Sequence, residues 1–508
     1  MESLNLCDYP WIPIAGEKER KSLMQIFSEP DLSQLSGNPV DKIVILRFLL
    51  CIVHASSPIP DNAAWQDLTT AKMAENAKKY LQEHHDCFDL YGEKPFLQFP
   101  KLAEIGGEAK PLSELIIGFS NNSVTATGWN VIRDFEPADL IIALIRSSCY
   151  ILGKNGYNPR LVLTKGIRKS VVGKPGSLLG PHGYLHCFMQ GKLLWDTLKL
   201  NLLTEENIQG IGIRELGVPF WEDMPQGEFD DRAREYRKSY LGTLFPLDKF
   251  MLLQPNGVII TDGIPYNDDA EKNSLSMQCM NDPALIHLAK GKILCASTSK
   301  APWRELPAIL AYSAGPDISK DPTHHPYFLY YGCPRVSTPV TKFWCGGLEV
   351  SYESGGNAIK MKNSFVESSF RVHTRIADMY YKEYCALMKE LEGHGNLLKA
   401  AVKNYWLKLW PEDKSSSKKI RSKRKSIAEE RSEKAVAVFW ELMASHADFI
   451  LNLAFAENGT KQKEHEEKIQ KEKRSWFRIL CQIFNDLCPH ETPRQMEAWV
   501  NTNPEFQN

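Results

Sequence analysis

Residues 173–195, GKPGSLLGPHGYLHCFMQGKLLW, join a glycine-rich half to an apolar run with the composition of a β-strand. The stretch contains five glycines, two lysines and two histidines, and it has no acidic residue. Glycine lets backbone N–H groups approach an anion closely, because no Cβ stands in the way. The stretch therefore suggests a phosphate-binding segment attached to a sheet.

The acid-free region is wider than this stretch. From Gly153 to Trp195 it carries seven cations and eight glycines in 43 residues, whereas the whole chain balances 61 Lys and Arg against 62 Asp and Glu. The region is thus a local positive field in a neutral chain. No Walker A sequence and no GxGxxG after a strand is present, which disfavours a nucleotide ligand. Two interpretations stay open: an ordinary exposed loop region, and a segment that binds a nucleic-acid backbone.

Length and composition indicate a globular protein. The 508 residues, 43% of them hydrophobic, suffice for two or more domains with sizeable cores. The start, MESLNLCDYPW, lacks the features of a secretory signal. The apolar run 43-IVILRFLLCIV-53 is too short to span a bilayer and predicts a buried helix around Arg47. Twelve cysteines without a CxxC pair indicate reduced thiols, so we expect a cytoplasmic protein that contacts no membrane.

The pattern of the sequence changes near residue 363. Before it, helices alternate with short β-type runs, namely 11-WIPI-14, 184-YLHCFM-189, 250-FMLLQPNGVIITDG-263 and 291-GKILCAST-298. After it, apolar residues recur every three or four positions in four segments, 364–392, 394–411, 427–457 and 461–487. We predict an α+β protein with a large mixed domain over 1–363 and a C-terminal four-helix bundle over 364–508.

A second basic tract, 414-KSSSKKIRSKRK-425, lies between two predicted helices and contains seven cations and no acid. One interpretation is a disordered, solvated loop, which such charge runs usually form. The other is a flexible arm that lies along phosphates and gains affinity by releasing counterions. We favour the arm, and its candidate DNA contacts are Lys418, Lys419, Arg421, Lys423, Arg424 and Lys425.

Signatures of catalysis are scarce. His84, His85 and Asp86 suggest a metal site, and His182 and His186 are four residues apart, but neither group has further ligands at useful spacing. No GxSxG elbow and no HExxH motif is present. We therefore expect a protein that is not an enzyme and holds no metal or cofactor. Two alternatives stay open: a metal-dependent nuclease using His84, His85 and Asp86, and a helical scaffold that binds only protein.

Several motifs occur in the order found in one known family. They are 4-LNLCDYPWIPI-14, 88-FDLYGEKPFLQ-98, 176-GSLLGPHGYLHCFMQGKLLWDTLKLNLLT-204, 301-APWREL-306 and the helical C-terminus. Together they resemble the CasA family, the large subunits of the type I-E CRISPR surveillance complex Cascade, over essentially the full length.

The resemblance implies a non-catalytic subunit that recognises the protospacer-adjacent motif, a short tag in double-stranded DNA, from the minor groove. It further implies that the subunit helps to separate the DNA strands and then recruits a helicase–nuclease. The guide RNA reads the remaining sequence by base pairing. The implied partners are target DNA, CRISPR RNA, the helicase–nuclease and the other Cascade subunits (backbone, small and 5′-handle-binding).

Three DNA-reading elements follow from the resemblance. A glycine loop falls on residues 170–176, with candidate contacts Ser170, Gly173, Lys174 and Gly176. The candidate for a lysine finger is Lys272. A turn after a Gly-Gly pair falls on 346-GGLEVSYESGG-356, with candidate contacts Gly347, Ser351, Tyr352 and Glu353.

Tyr352 stands where the family pattern has a glutamine wedge that separates the strands. An aromatic ring is chemically suited to this role, since it can stack under the first base pair. A plain β-hairpin is the alternative interpretation of this turn. The resemblance also suggests Trp129 as an anchor to the CRISPR RNA and the complex.

Overall fold

The computed structural model of the chain describes residues 4–116, 135–152, 161–165, 176–266, 281–288, 292–310, 326–338, 340–352, 359–373, 378–410, 418–446 and 462–506. The chain divides into two compact units. The first comprises Met1–Tyr312 and Pro316–Arg375, and the second comprises Ser313–Gly315 and Ile376–Asn508. Helices and strands both contribute, so the predicted α+β class is confirmed.

The first unit contains short helices around small antiparallel sheets. Its described helices are α1 (Leu23–Ile26), α2 (Pro39–Ser56), α3 (Asn62–Asp67), α4 (Thr70–Glu83), α5 (Lys101–Glu104), α6 (Pro137–Cys149), α7 (Leu194–Leu200), α8 (Glu205–Gly210), α9 (Asp231–Lys238), α10 (Tyr240–Leu244), α11 (Leu306–Ile309) and α12 (Tyr327–Gly332). Its 3-10 helices cover His85–Phe88, Leu112–Leu115, Pro302–Glu305 and Cys333–Arg335.

Helix α2 is the buried helix predicted from the apolar run 43–53. The Asn38 side chain accepts a hydrogen bond from the Asp41 N–H at 2.9 Å, and Pro39 occupies the first helical position, where its missing N–H has no partner to lose. Every residue from Ile43 to His54 is buried. Burial on all faces is typical of a core helix, and α2 packs against α4, α6 and α10.

The described strands form three antiparallel sheets. Strand β1 (His186–Gln190) pairs with β6 (Val340–Tyr352), which pairs with β7 (Ile359–His373); β2 (Lys249–Gln254) pairs with β3 (Gly257–Asp262), and β4 (His287–Leu288) pairs with β5 (Lys292–Ile293). The predicted β-type runs 184–189 and 250–263 therefore do contain strands, and the second run forms the two strands of a hairpin.

Two other predicted β-type runs are shorter than expected. Residues 11–14 make only isolated bridges, at Ile12 and Ile14, because Pro13 has no N–H to donate to a ladder. The run 291–298 contributes only the two residues of β5 as a strand.

Strand β7 changes the expected start of the helical part. The sequence pattern predicts a helix over 364–373, but these residues continue β7, where Val366 and Phe370 are buried and Phe365 is exposed. Pairing with β6 fixes this segment as a strand, since Phe343 faces Phe370 and Gly347 faces Val366 in the ladder. Residue 363, the predicted domain boundary, lies inside β7. The main part of the second unit begins later, at Ile376.

The second unit has three long described helices, α13 (Asp378–Lys408), α14 (Lys418–Ala444) and α15 (Gln462–Leu487), followed by α16 (Pro493–Val500) and a 3-10 helix at Pro504–Phe506. The three long helices pack against one another. The predicted segment 461–487 matches α15. The segment 427–457 begins earlier than predicted, because α14 starts at Lys418. A four-helix bundle is not established by these helices.

The predicted break between 392 and 394 is wrong. Helix α13 continues through Gly393 and Gly395, although each glycine costs roughly 1 kcal/mol in a helix. A Cβ at Gly395 would lie 3.2 Å from the ring of Trp440 on α14, so this glycine makes room for the indole. The buried seam also continues on both sides, from Leu387 and Leu391 to Leu398 and Val402. Packing between helices therefore overrides the local signal.

Candidate nucleic-acid interface

Several predicted contact residues lie outside the described residues. They are Trp129, Ser170, Gly173, Lys174, Lys272 and Glu353. The structure does describe the residues on either side of the segments that contain the glycine loop and the lysine finger. Those flanking residues, together with strand β6, define the candidate interface in the first unit.

Gly176 ends the glycine loop and packs against the end of α6. Its N–H donates to the carbonyl of Ile151 at 2.8 Å, and a Cβ at this position would overlap the carbonyl oxygen of Cys149. Gly176 is buried. The need for glycine at this position is thus explained by packing inside the protein.

A buried ionic network holds the residues that follow both reading segments. Arg47 donates from Nη2 to Asp282 Oδ1 at 2.7 Å and to His186 Nδ1 at 3.1 Å. His186 Nε2 donates to the carbonyl of Leu178 at 2.8 Å. Arg47 and His186 are 0% exposed, and Asp282 is 3% exposed. The network therefore joins Leu178, shortly after the glycine loop, to Asp282, shortly after the segment with Lys272.

The protonation states in this network are set by their surroundings. Burial, together with the neighbouring Arg47 cation, lowers the pKa of His186 to about 3. The imidazole is therefore neutral near pH 7, and only the neutral ring with its proton on Nε2 satisfies both of its contacts. Arg47 and Asp282 compensate each other's charge, which a buried ion pair requires.

The third reading element lies on strand β6, which packs against Tyr184, a few residues after the glycine loop. A Cβ at Gly347 would lie 2.6 Å from the carbonyl oxygen of Tyr184 and 3.0 Å from the Cβ of Ala296. Gly347 is buried in the middle of β6, not in the turn, so we assign it a packing role. The Glu349 carboxylate accepts hydrogen bonds from Thr298, including one from its N–H at 2.8 Å.

The backbone of Ser351 and Tyr352 forms the end of β6. Ser351 faces Lys360 and Tyr352 faces Ile359 across the ladder. A register shift between Glu349 and Val350 marks a bulge shortly before this end. Bulges increase the local twist of a hairpin and redirect side chains, and they are common beside functional sites. The two strands pair antiparallel up to Tyr352 and Ile359, and residues 353–358 between them lie outside the described residues.

The basic tract of the second unit is helical where it is described. Residues 418–425 form the first two turns of α14, so the prediction of a flexible arm is wrong for them. Lys and Arg are good helix formers, and burial begins only at Ala428. The exposed cations are Lys418, Lys419, Arg421, Lys423 and Lys425, whereas Arg424 is half-buried.

Charge makes this helix end unusual. The first turn of α14 has no acidic residue, and its cations lie where the helix dipole favours an anion. At 100° per residue, Lys419 and Lys423 share one side, and Lys418, Arg421 and Lys425 share another. Further along, Glu429 accepts from Lys403 and is paired with Lys399 at 2.9 Å. The exposed cations thus form a local excess of positive charge.

The histidines near α4 have contacts within the protein. His85 Nε2 lies 2.8 Å from Asp8 Oδ2, and its Nδ1 lies 3.3 Å from the Asn5 amide nitrogen. His84 follows the last residue of α4, and its ring packs on Tyr80. Among the described residues, no group of three or more His, Cys, Asp or Glu side chains is placed to hold a metal ion.

The sequence interpretation missed Asp282, the buried acid of the Arg47 network. Arg47 gave a usable signal, because a charged residue inside an 11-residue apolar run must find a buried partner. Its partner, Asp282, is 235 residues away and could not be identified from the sequence. Within the described part of the chain, no helix is both long and apolar enough to cross a membrane.

Comparison with known proteins gives a consistent result. The family model described as CRISPR-associated protein Cse1 matches residues 5–486. Thermobifida fusca Cse1 superposes with a TM-score of 0.71 at 17% identity, covering 99% of this chain and 96% of that chain. A structure of Thermus thermophilus CasA gives 0.69 at 16% identity, with 99% and 98% covered.

A chain of a "CRISPR RNA-guided surveillance complex" gives a TM-score of 0.68 at 16% identity, with 100% of both chains covered. No curated protein sequence matches significantly. At these identities the structural likeness establishes a shared fold.

Proposed function

Since the chain belongs to the family of CRISPR-associated Cse1 proteins, we propose that it is the large subunit of a CRISPR RNA-guided surveillance complex. The sequence resemblance to the CasA family is confirmed, because a Thermus thermophilus relative carries both names. The observation that carries the proposal is the family match over residues 5–486. The expected partners are CRISPR RNA, the other Cascade subunits and target DNA.

We propose further that the first unit recognises the tag in double-stranded DNA from the minor groove. The geometry supports this role, since the Arg47 network holds Leu178 and Asp282 together and a Cβ at Gly183 would meet β6 at Leu348. Residues next to each of the three predicted reading elements therefore lie close together in the first unit. Such a reader needs only a short duplex tag, because the guide RNA supplies the sequence specificity by pairing.

The subunit acts in this proposal without catalysis. It binds the duplex, assists opening next to the tag, and presents a surface to a recruited helicase–nuclease. Trp129 serves as an anchor to CRISPR RNA and the complex. Cleavage of DNA by the purified chain with Mg²⁺ or Mn²⁺, lost on His85→Ala, would instead support the nuclease alternative.

The direct test is tag discrimination by the assembled complex. Gly173→Val adds a branched side chain where the backbone must approach the groove. We expect the variant to fold and join the complex but to lose the affinity difference between tagged and untagged duplex by roughly tenfold or more, the scale of a lost groove contact. Equilibrium binding to the two duplexes measures this ratio.

Gly393→Val is the control for this test. Gly393 is exposed in α13 and a Cβ there has nothing within 4 Å, so this variant should discriminate like the wild type. Normal discrimination by Gly173→Val would show that the glycine loop lies elsewhere.

We also propose that the basic end of α14 lies along DNA phosphates. Lys419→Ala with Lys423→Ala removes the two cations on one side of the helix. Each lost phosphate contact should lower the slope of log K against log salt by about 0.9, with no change in tag preference. The measurement is duplex affinity of the assembled complex over a series of salt concentrations.

The matched control removes two exposed lysines of α13, Lys382 and Lys389, and should leave the slope unchanged. An unchanged slope in the Lys419 and Lys423 variant would exclude this side of α14 from the DNA contact. The Lys418, Arg421 and Lys425 side would then be tested in the same way.

A further inference from the structure

A buried carboxylate holds the residues immediately before the segment 166–175. Glu228 is 2% exposed and accepts the N–H of Leu163 and the N–H of Thr164, both at 2.9 Å. Its Oε2 also accepts the Thr164 hydroxyl at 2.9 Å, and Thr164 Oγ1 in turn accepts the Phe229 N–H at 3.1 Å. Four hydrogen bonds thus fix Leu163 and Thr164.

A second carboxylate holds the residues immediately after the same segment. Asp248 Oδ2 accepts the Ser177 N–H at 2.7 Å, and its Oδ1 accepts the Ser177 hydroxyl at 2.6 Å. Ser177 follows Gly176, the last residue of the predicted glycine loop. Both oxygens of Asp248 are therefore used on one residue at this end.

The same part of the chain also holds the approach to the segment with Lys272. The carbonyl of Asp248 accepts the Gly263 N–H at 2.7 Å, and the carbonyl of Leu247 accepts the Ile264 N–H at 2.8 Å. The Tyr266 hydroxyl accepts the Leu247 N–H at 2.9 Å. Leu247 and Asp248 therefore connect the end of one predicted reading segment to the start of the other.

We propose that Glu228 and Asp248 are positioning residues for tag recognition. Glu228 holds Leu163 and Thr164, which precede the segment 166–175, and Asp248 holds Ser177, which follows it. The backbone of Asp248 also holds Gly263, which precedes the segment that contains Lys272. This inference rests on the proposed function, because the reading role of those segments does. Precise placement of a recognition segment requires ends that are fixed by satisfied hydrogen bonds. Neither carboxylate contacts DNA in this proposal.

The pKa of Asp248 allows a positioning role to be tested separately from a contribution to stability. Burial raises the pKa of the Asp248 carboxyl to about 7, although the hydrogen bonds from Ser177 and the charge of Lys249 lower it. The other groups facing it are Asp262, whose charge raises the pKa, Tyr266 and Cys149. Burial raises the pKa of the Tyr266 hydroxyl and of the Cys149 thiol, so both stay neutral near pH 7.

The sign of the stability effect follows from this raised pKa. The ordinary value is 3.8 and the folded value is about 7, so the unfolded chain ionises first as the pH rises. Ionisation of Asp248 therefore lowers stability across this interval, and the loss is complete above about pH 7. A carboxylate kept at a cost in stability is expected where function needs it.

The test is Asp248→Asn in the assembled complex. Asparagine keeps an acceptor for the Ser177 N–H. Its NH₂ group can only donate to the Ser177 hydroxyl, so the charge-assisted hydrogen bond that the carboxylate accepts is replaced by a neutral one of opposite direction. We expect an unchanged or higher melting temperature together with roughly tenfold weaker discrimination between tagged and untagged duplex, the scale of one charge-assisted hydrogen bond. Wild-type discrimination should also fall as the pH is lowered through about 7, whereas the variant should show no such dependence.

Asp230→Asn is the matched control, because Asp230 also accepts two backbone N–H groups, from Gln226 and Ala233, at the start of α9. It should lower the melting temperature and leave discrimination unchanged. Ser177→Ala should reproduce the loss of discrimination, and Ser177→Thr, which keeps the hydroxyl, should restore it. The serine variants test the same contact if Asp248→Asn fails to fold.

The outcomes separate this inference from the proposed function. A wild-type complex that does not distinguish tagged from untagged duplex would overturn the proposed function. Wild-type discrimination with normal discrimination by both Asp248→Asn and Ser177→Ala would overturn the positioning role alone. A loss of discrimination that appears only alongside a fall in melting temperature like that of Asp230→Asn would also overturn it.

Discussion

Gly183→Ala is expected to lower the free energy of unfolding of the first unit by about 2–5 kcal/mol. Gly183 has φ of +83°, a conformation that costs an L-residue roughly 1–2 kcal/mol. A Cβ at this position would also overlap the carbonyl oxygen of Leu348 in β6, and relief of such overpacking typically costs about 1–3 kcal/mol. The two costs act at one residue and add.

The substitution at Gly183 should also affect β6, which ends at the predicted wedge, Tyr352. The carbonyl of Gly183 accepts the Ala296 N–H at 2.8 Å, and the carbonyl of His182 accepts the Val350 N–H at 3.2 Å. Alanine at 183 must push β6 away at Leu348, four residues before Tyr352. We therefore expect impaired tag recognition in addition to lower stability.

Gly16→Ala separates the two costs. Gly16 has a similar φ of +86°, but a Cβ there has nothing within 4 Å. This variant should lose only the roughly 1–2 kcal/mol of the backbone conformation. Urea or thermal unfolding of both variants measures the difference, and equal losses would show that the approach to Leu348 does not constrain residue 183.

Local signals were sufficient for some of the fold. Helix α2 follows from an apolar run with a capping Asn38 and Pro39, and the β2–β3 hairpin follows from the turn at Pro255 and Asn256 between two apolar runs. Both structures are decided by residues close together in the sequence. The C-terminal helix α15 was likewise predicted from its regular apolar spacing.

Distant partners decided the elements that were predicted wrongly. Residues 364–373 contain apolar residues at a spacing that also suits a helix, and the ladder with β6 makes them a strand. The predicted break fell at Gly393, but the helix continues through it, and Gly395 packs beside Trp440. The sequence shows neither partner, since each lies at least 15 residues away along the chain.

The candidate site shows the same division. The sequence indicates that these positions need glycine, but it does not show why. In the structure Gly176 and Gly347 pack against backbone carbonyls inside the protein. The carboxylates Glu228 and Asp248 look like ordinary surface acids in the sequence. Their roles depend on Thr164 and Ser177, which lie 64 and 71 residues away.

Tyr352→Ala is expected to slow strand opening beside the tag by roughly 5- to 150-fold while leaving initial duplex binding nearly intact. Each stacked step to be opened costs on the order of 1.4 kcal/mol. Stacking of an aromatic side chain on a base is worth roughly 1–3 kcal/mol, and the expected factor is that energy expressed as a rate. Tyr352 is the last residue of β6, next to the predicted wedge turn.

The measurement is the fluorescence of 2-aminopurine at the first target position, recorded while the complex opens the duplex. Tyr352→Phe keeps the ring and should open the duplex at the wild-type rate. Tyr330→Ala, which removes an exposed tyrosine at another place in the first unit, is the control and should also open it at the wild-type rate.

A target with mismatched, already open pairs beside the tag provides the decisive comparison, because the work of opening has then been done in advance. On this target Tyr352→Ala should match the wild type. Slow opening on the open target as well would indicate that Tyr352 supports the hairpin and does not stack on DNA. Wild-type rates on both targets would place the wedge at another residue and favour a plain β-hairpin at 346–356.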